Sequence, residues 1–288
     1  MATAAGGEAP GTRVRVEAPS LGEVLRGTRL WEALESAGGM GALGVRTVRI
    51  AARPPFGWVR SATVEASIGI RRALIPLAIS HAAYLIGFGI ILFGLILSNL
   101  GVVEREAGAM FTIWAREIAT WITAMIFAGI VGSAVTADLG ARRIREELDA
   151  LAVLGVDQVR SLVVPRVMAT TLIAPVLALI SLLMVVVVNY IVAPGHLDYT
   201  HGVFQDNVAQ SIFPADLIAP MVIKNTVIGF FVGVVACHKG LTCKLGAEGV
   251  GRAVNQTVVI TFFGIWMFNS FFNLAYLSLF PNAAVFHG

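Results

Sequence analysis

The chain has 288 residues, of which 57% are hydrophobic and only 14% charged, with a mean hydropathy of +0.79 and a formal net charge of +3. Soluble domains carry nearer to a quarter charged residues, so this composition excludes a soluble globular protein and leaves too little polar sequence for a second soluble domain. Two cysteines, Cys237 and Cys243, exclude a disulfide framework.

Residues 1–19 are rich in Ala and Gly and are expected to be disordered. The first 30 residues hold no apolar run of signal-peptide length, so no cleaved signal is expected and the N-terminus is placed in the cytosol. Ser20-Leu-Gly-Glu23 fits a capping box, with Leu21, Val24, Leu25, Thr28 and Trp31 on one face. That pattern suits either a short surface helix or a solvated tail. Pro54-Pro55 then breaks the chain. Beyond it, Phe56, Trp58, Val59 and Val64 interleave with Arg60, Glu65, Arg71 and Arg72, which predicts an amphipathic helix lying in the membrane interface.

A helix needs about 20 apolar residues to cross a bilayer. Five stretches qualify, at about 74–100, 118–137, 167–192, 217–237 and 253–280, and Lys224 is the only charge in them. No carboxylate lies in any. Ten arginines precede the first stretch. The segment after the second carries Arg142, Arg143, Arg145, Arg160 and Arg166, and the segment after the fourth Lys239, Lys244 and Arg252. The alternate segments hold only Arg105 and Arg116. The positive-inside rule then predicts an all-α integral membrane protein: five transmembrane helices preceded by the interfacial helix, with the N-terminus cytosolic and the C-terminus outside.

Residues 137–166 form a densely charged island between two uncharged stretches. Ile144, Leu148, Leu151 and Leu154 fall on one helical stripe, and Gly140 and Gly155 bracket a helix, with Gly155 as its terminator. Such a helix either docks into a groove on a soluble partner or packs its stripe on its own protein. Lys224, beside Asn225, is the costly residue within a span, at about 2.5–3.5 kcal/mol on insertion scales. It faces a cavity and meets an anionic lipid head group or a carboxylate, snorkels to the outer surface, or pairs with an acidic residue of a neighbour. Small residues at Gly229/Gly233, Ala128/Gly132, Gly129/Ser133 and Gly87/Gly94 let helices approach closely, within one subunit or at a dimer seam.

Other patterns carry little. Cys237-His238…Cys243 has no fourth ligand nearby, so no metal is expected. The glycines of 246–251 follow no strand and read as a tight turn rather than a nucleotide site. Asn255-Gln-Thr257 matches a sequon on the inner side. No G-x-x-x-x-G-K-[ST] occurs, and no Ser/His/Asp or Cys/His set has catalytic spacing.

The run Ala137-Asp-Leu-Gly-Ala-Arg-Arg-Ile-Arg-Glu-Glu-Leu-Asp-Ala-Leu, then Val153-Leu-Gly-Val-Asp157 and Leu162-Val-Val-Pro-Arg-Val-Met-Ala169, resembles the signature of the MlaE/YrbE permeases. Gly240-Leu-Thr-Cys-Lys with Gly246-Ala-Glu-Gly-Val-Gly-Arg-Ala-Val-Asn255 is a second match, and Pro55-Phe56 and Trp58 leading to Ile75-Pro76 a weaker third. The likeness is greatest to actinobacterial YrbE subunits of Mce systems. It covers 54–288 as the permease domain and leaves 1–53 as a cytosolic, partly disordered extension.

The resemblance implies the permease subunit of an ATP-driven ABC transporter in the cytoplasmic (inner) membrane. Such a subunit moves lipids (fatty acids, sterols or phospholipids), as import in the Mce systems. It is not itself an enzyme and holds no cofactor. A separate P-loop ATPase carries ATP and Mg, a second YrbE-type permease completes a homo- or heterodimer, and MCE-domain proteins guide the lipid outside. No nucleic acid is involved. The family's coupling helix maps onto about 142–154, which implies ATPase coupling through Arg142, Arg143, Arg145, Glu146, Glu147, Asp149 and Leu151. Lys224 and Asn225 remain the head-group candidates.

Three other classes compete. An ion-coupled secondary transporter needs buried ionisable groups, and Lys224 and His81 are the only candidates in the spans. A lipid-modifying enzyme would rest on His196, Asp198 and His201. A membrane scaffold without transport activity gives no reason for the charged island.

Overall fold

The computed structural model describes residues 29–281, so the readings of 1–19 as disordered and of Ser20–Glu23 as a capping box lie outside the described residues. Every described element is helical. In chain order these are α1 (Arg29–Ala51), α2 (Trp58–Asn99), α3 (Val103–Ile144), α4 (Glu147–Val153), α5 (Val159–Leu197), α6 (His201–Ser211), α7 (Pro214–Thr242) and α8 (Ala247–Leu279). Five of them, α2, α3, α5, α7 and α8, are long and apolar enough to cross a membrane, as the sequence predicts. The protein is a multi-pass membrane protein.

The helices are longer than the apolar runs, for a reason visible in their ends. The run at 118–137 stops where Arg116 and Glu117 begin, yet α3 continues back to Val103 because those side chains find partners in neighbouring helices. The same holds for Arg166 within α5 and Asp216 within α7. Carboxylates therefore do lie in the long helices, Glu65 in α2, Glu104, Glu106, Glu117 and Asp138 in α3, Asp216 in α7 and Glu248 in α8, with Glu106 and Asp216 buried. The five apolar stretches themselves hold none.

The helix preceding the spans is α1, and residues 58–72, read as an interfacial helix, form the first turns of α2 without a break. Two compact units divide at 41/42, inside α1. From Ala42 onward α1 turns Gly44, Thr47 and Ala51 inward, with Gly44 against Phe230 and Val234. Val45, Arg46, Val48 and Arg49 face out. The link to α2 contains a cis Pro54–Pro55 bond, and the Trp58 indole N–H donates to the Ala51 carbonyl across it.

α5 packs between α2 and α7, and α7 packs in turn on α3 and α8. The α5–α7 crossing is set by glycine. A Cβ on Gly229 would lie 2.4 Å from the Thr170 carbonyl oxygen, and one on Gly233 2.1 Å from the Thr170 hydroxyl. At Gly129 and Gly87 nothing lies within 4 Å. The Gly229/Gly233 pair is thus an intrachain seam. Thr136 ties three helices, its hydroxyl lying 2.9 Å from the Thr257 hydroxyl of α8 and 3.1 Å from the Ala236 carbonyl oxygen of α7.

Replacing Gly229 by Ala should force α5 and α7 apart and cost about 1–3 kcal/mol, read as a lowered thermal midpoint in detergent. Gly129→Ala, into open space, should leave that midpoint unchanged or raised.

Candidate functional site

Polar chemistry concentrates at two places: where α4 joins α3 to α5, and where α3, α7 and α8 meet nearer α6. At the first, α3 ends at Ile144 and the chain turns through Arg145 and Glu146. Glu146 sits in the left-handed region at φ 59°. α4 then runs for seven residues and closes on Gly155 at φ 70°, where the Val156 amide donates to the Leu151 carbonyl at 2.9 Å. That is the helix-ending motif glycine favours, so Gly155 terminates as expected. Gly140 does not start a helix; it lies inside α3 with its face against Val250 and Cys243. The single helix expected over 142–154 is therefore two helices with a strained corner between them.

A continuous ladder of ion pairs leads from α4 into the bundle. Glu147 takes Arg145 at 2.7 Å and Arg142 at 3.4 Å. Arg142 reaches back to Asp138 at 3.2 Å. The same Asp138 oxygen takes the buried Arg166 at 2.6 Å, and Arg166 lies 3.4 Å from Glu65 of α2. Arg143 donates to the Leu241 carbonyl at the end of α7. Arg142, Arg143 and Glu147 are thus engaged within the chain.

What α4 leaves free is a different row. Glu146, Asp149, Ala150, Val153 and Leu154 recur at helical spacing and are all exposed, Val153 at 88% and Leu154 at 75%. The stripe read from the sequence faces inward in part: Leu148 is buried, Leu151 half-buried and Ile144 exposed. Counting apolar residues alone selected that stripe. The signal for the free face was the mixed row at i, i+3, i+4, i+7 and i+8 beginning at Glu146.

The loop after α4 is pinned. Asp157 takes both oxygens' worth of Arg46 at 3.0 and 3.1 Å and accepts the Val159 amide at 2.9 Å at the start of α5. Arg160 donates to the Pro55 carbonyl, and Gln158 to the Leu148 carbonyl. Burial alone would push the Asp157 carboxyl up; the Val159 amide and the Arg46 guanidinium outweigh it and hold the group below the usual carboxylate range.

At the second place, Arg116 of α3 pairs with Asp216 of α7 at 2.8 Å, and the Tyr276 hydroxyl of α8 donates to the same carboxylate. Lys224 is fully buried, donates to the Arg116 carbonyl and the Asn273 amide oxygen, and lies 5.5 Å from the Phe272 ring centre. Asn225 donates to Thr120 and to the Pro220 and Met221 carbonyls. Both head-group candidates are therefore turned into the protein, where Lys224 meets a carbonyl and an amide oxygen of neighbouring helices.

Sequence reasoning missed a further buried group: Glu106 accepts from Tyr199 at 2.8 Å and from Asn189 at 3.2 Å. His81, in α2, meets Ser181 of α5 and the Leu77 carbonyl. The His201 ring lies tilted against Tyr190, with centres 4.6 Å apart, and among the described residues no His, Cys, Asp and Glu group is placed to hold a metal.

Residues 67–275 match the family described as Permease MlaE. Among similar proteins, Protein TRIGALACTOSYLDIACYLGLYCEROL 1, chloroplastic, of Arabidopsis thaliana is 31% identical over 170 residues, 59% of this chain and 48% of that protein. A probable ABC transporter permease protein of Rickettsia prowazekii is 35% identical over 144 residues, covering 50% of this chain and 55% of its own. One of Synechocystis is 33% identical over 171 residues, covering 59% and 65%. The chain spans about half to two thirds of the length of these curated relatives.

The Asp157 anchor predicts a pH dependence. Its folded value lies below the unfolded value of about 3.9, so its contribution is fully present above that pH and is lost as pH falls through the folded value. Amide protection over 157–163, corrected for intrinsic exchange, should hold between about pH 5 and 7 and drop below about pH 4. Asp157→Asn should lower protection at neutral pH and remove the step.

Proposed function

The chain belongs to the MlaE permease family, and on that premise we propose that it is the transmembrane subunit of an ATP-driven lipid transporter. Its ATPase is a separate chain that docks on α4. One observation carries this reading: a short helix between two long apolar helices presents an acidic and apolar face, Glu146, Asp149, Val153 and Leu154, to which nothing in the described chain is packed. Large apolar side chains exposed outside the apolar helices mark an interaction site. Two relatives named as probable ABC transporter permeases supply the class of partner.

In this reading the α4 end faces the cytosol of a cytoplasmic-membrane protein, as its arginines favour, and ATP with Mg sits on the partner. Glu146, Asp149 and the Val153–Leu154 tip make the contact. Arg142, Arg143, Arg145 and Glu147 brace α4 against α3 and α7, and Leu151 seats it. A second permease of this type, identical or paralogous, completes the membrane core. MCE-domain proteins meet the α6 end, and the lipid moves inward. A lipid cargo is supported by the Arabidopsis relative, whose name is that of a diacylglycerol lipid.

One observation favours a second reading, an ion-coupled transporter. Glu106 is a buried carboxylate whose hydrogen-bond donors, Tyr199 and Asn189, are neutral. Lipid transfer in vesicles separates the two: dissipating the ion gradient with ATP present leaves an ABC transporter active and stops an ion-coupled one.

Val153→Asp with Leu154→Asp should abolish co-purification of the ATPase while membrane insertion and thermal midpoint stay as in the unaltered protein. Glu147→Lys should reverse the charge that holds Arg142 and Arg145, keep insertion and uncouple ATP hydrolysis from transport. Undiminished ATPase capture by the double variant would overturn the assignment of α4.

A further inference from the structure

Between α2, α3 and α5, at the α4 end, lies a cavity of about 240 Å³. Its charged lining is Glu65, Arg72, Asp138, Arg142 and Arg166. Three arginines against two carboxylates leave one net positive charge. Widening the count to the next rung adds Arg145 and Glu147 and leaves the same balance, four against three. The surplus has an address. Arg166 and Arg142 are held by Asp138, Glu65 and Glu147, whereas Arg72 pairs with no carboxylate among the described residues.

The remaining walls are apolar or small. Ile68, Val131 and Ile173 supply hydrocarbon surface, and Ala134 takes up little of the space. These walls belong to helices long and apolar enough to span a membrane. The cavity thus sets an unpaired guanidinium, with two further arginines fixed in orientation, beside an apolar surface. Arginine forks match phosphate oxygens, and such charge-assisted bonds are about twice as strong as neutral ones.

We propose that this cavity binds the head group of an anionic phospholipid, its phosphate on Arg72 and the fixed edges of Arg142 and Arg166, its upper acyl chain along Ile68 and Ile173. The site is separate from the α4 face and does not depend on the ATPase reading. It shares Arg142 and Arg166 with the ladder, so an occupant and α4 are held by the same side chains.

The test uses the full chain in nanodiscs of phosphatidylcholine doped with phosphatidylglycerol, transferred to detergent, with retained lipid counted by native mass spectrometry. The unaltered protein should retain phosphatidylglycerol over phosphatidylcholine by about tenfold. Arg72→Gln, which removes the free cation, and Ala134→Phe, which fills the space without touching a charge, should each lower that preference to near unity. Arg71→Gln, next in sequence but not in the lining, should keep it. Equal retention of the two lipids by the unaltered protein, or equal losses for Arg71→Gln and Arg72→Gln, would overturn the site. Displacement of phosphatidylglycerol by millimolar glycerol 3-phosphate would replace the lipid by a soluble phosphate and overturn the proposal in its lipid form. Thermal midpoints identify any variant that has lost its fold; should Ala134→Phe do so, Arg72→Gln alone, at an exposed position, decides.

Discussion

A charge drawn into a helix bundle surrounded by hydrocarbon has to find its partner inside that bundle, since the surroundings offer none. The meeting of α3, α7 and α8 is organised by that demand. Asp216 takes Arg116 and the Tyr276 hydroxyl, and Lys224 takes the Arg116 carbonyl and Asn273. Glu117 takes Asn269 at 2.9 Å and Trp121 at 3.3 Å. Every one of these contacts crosses between helices except the last, so the register of α7 and α8 on α3 is fixed by chemistry that a one-turn slip would leave unpaired. Removing one partner of a buried pair commonly costs about 3–5 kcal/mol, far more than any single apolar contact along the same helices.

The α4 end obeys the same rule with a different outcome. There the cations outnumber the carboxylates, and a single Asp138 oxygen serves Arg142 and Arg166 together. Shared acceptors couple their donors: a shift of Arg142 with α4 alters what Asp138 offers Arg166, and Arg166 is the buried member. The first cluster is closed within the spans and serves register. The second is open at both ends, toward α4 through Glu147 and toward the cavity through Arg72.

Much of this architecture is legible in the sequence. Five apolar runs gave five long helices, and the charged island proved to hold the exposed face. Run boundaries failed wherever a charge is paired: hydropathy stops at Arg116, Glu117, Arg166 and Asp216, whereas the helices do not, because an ion pair cancels much of the cost that a hydropathy value assigns to each residue alone. Pairings such as Asp138 with Arg166, 28 positions apart, or Arg116 with Asp216, 100 apart, have no local signature. Lys224 was visible as an anomaly, but its direction was not, since reaching a lipid and reaching α3 look alike in one dimension. The break at Glu146 was hidden too. Arg145 and Glu146 are good helix formers, and only the geometry of the return toward α5 forces one of them to positive φ.

That break decides how α4 can act. A helix of seven residues between a left-handed Glu146 and a left-handed Gly155 cannot lean on continuous backbone hydrogen bonding at either end. Its loop is held to α1 through Asp157–Arg46 and to the 52–57 link through Arg160. Its other end is held to the end of α3 by the Glu146 amide on the Arg143 carbonyl at 3.1 Å and by the Glu147 carboxylate on Arg142. The end of α3 is in turn clamped to α7, where a Cβ on Gly240 would lie 3.0 Å from the Thr136 carbonyl oxygen and Arg143 bonds Leu241. A load applied to the free face of α4 is therefore resisted by packed backbone at α3 and α7. It meets exchangeable ion pairs at Asp138, Arg142 and Arg166. Movement is easiest where pairs can trade partners without opening backbone, which is the wall of the cavity between α2, α3 and α5.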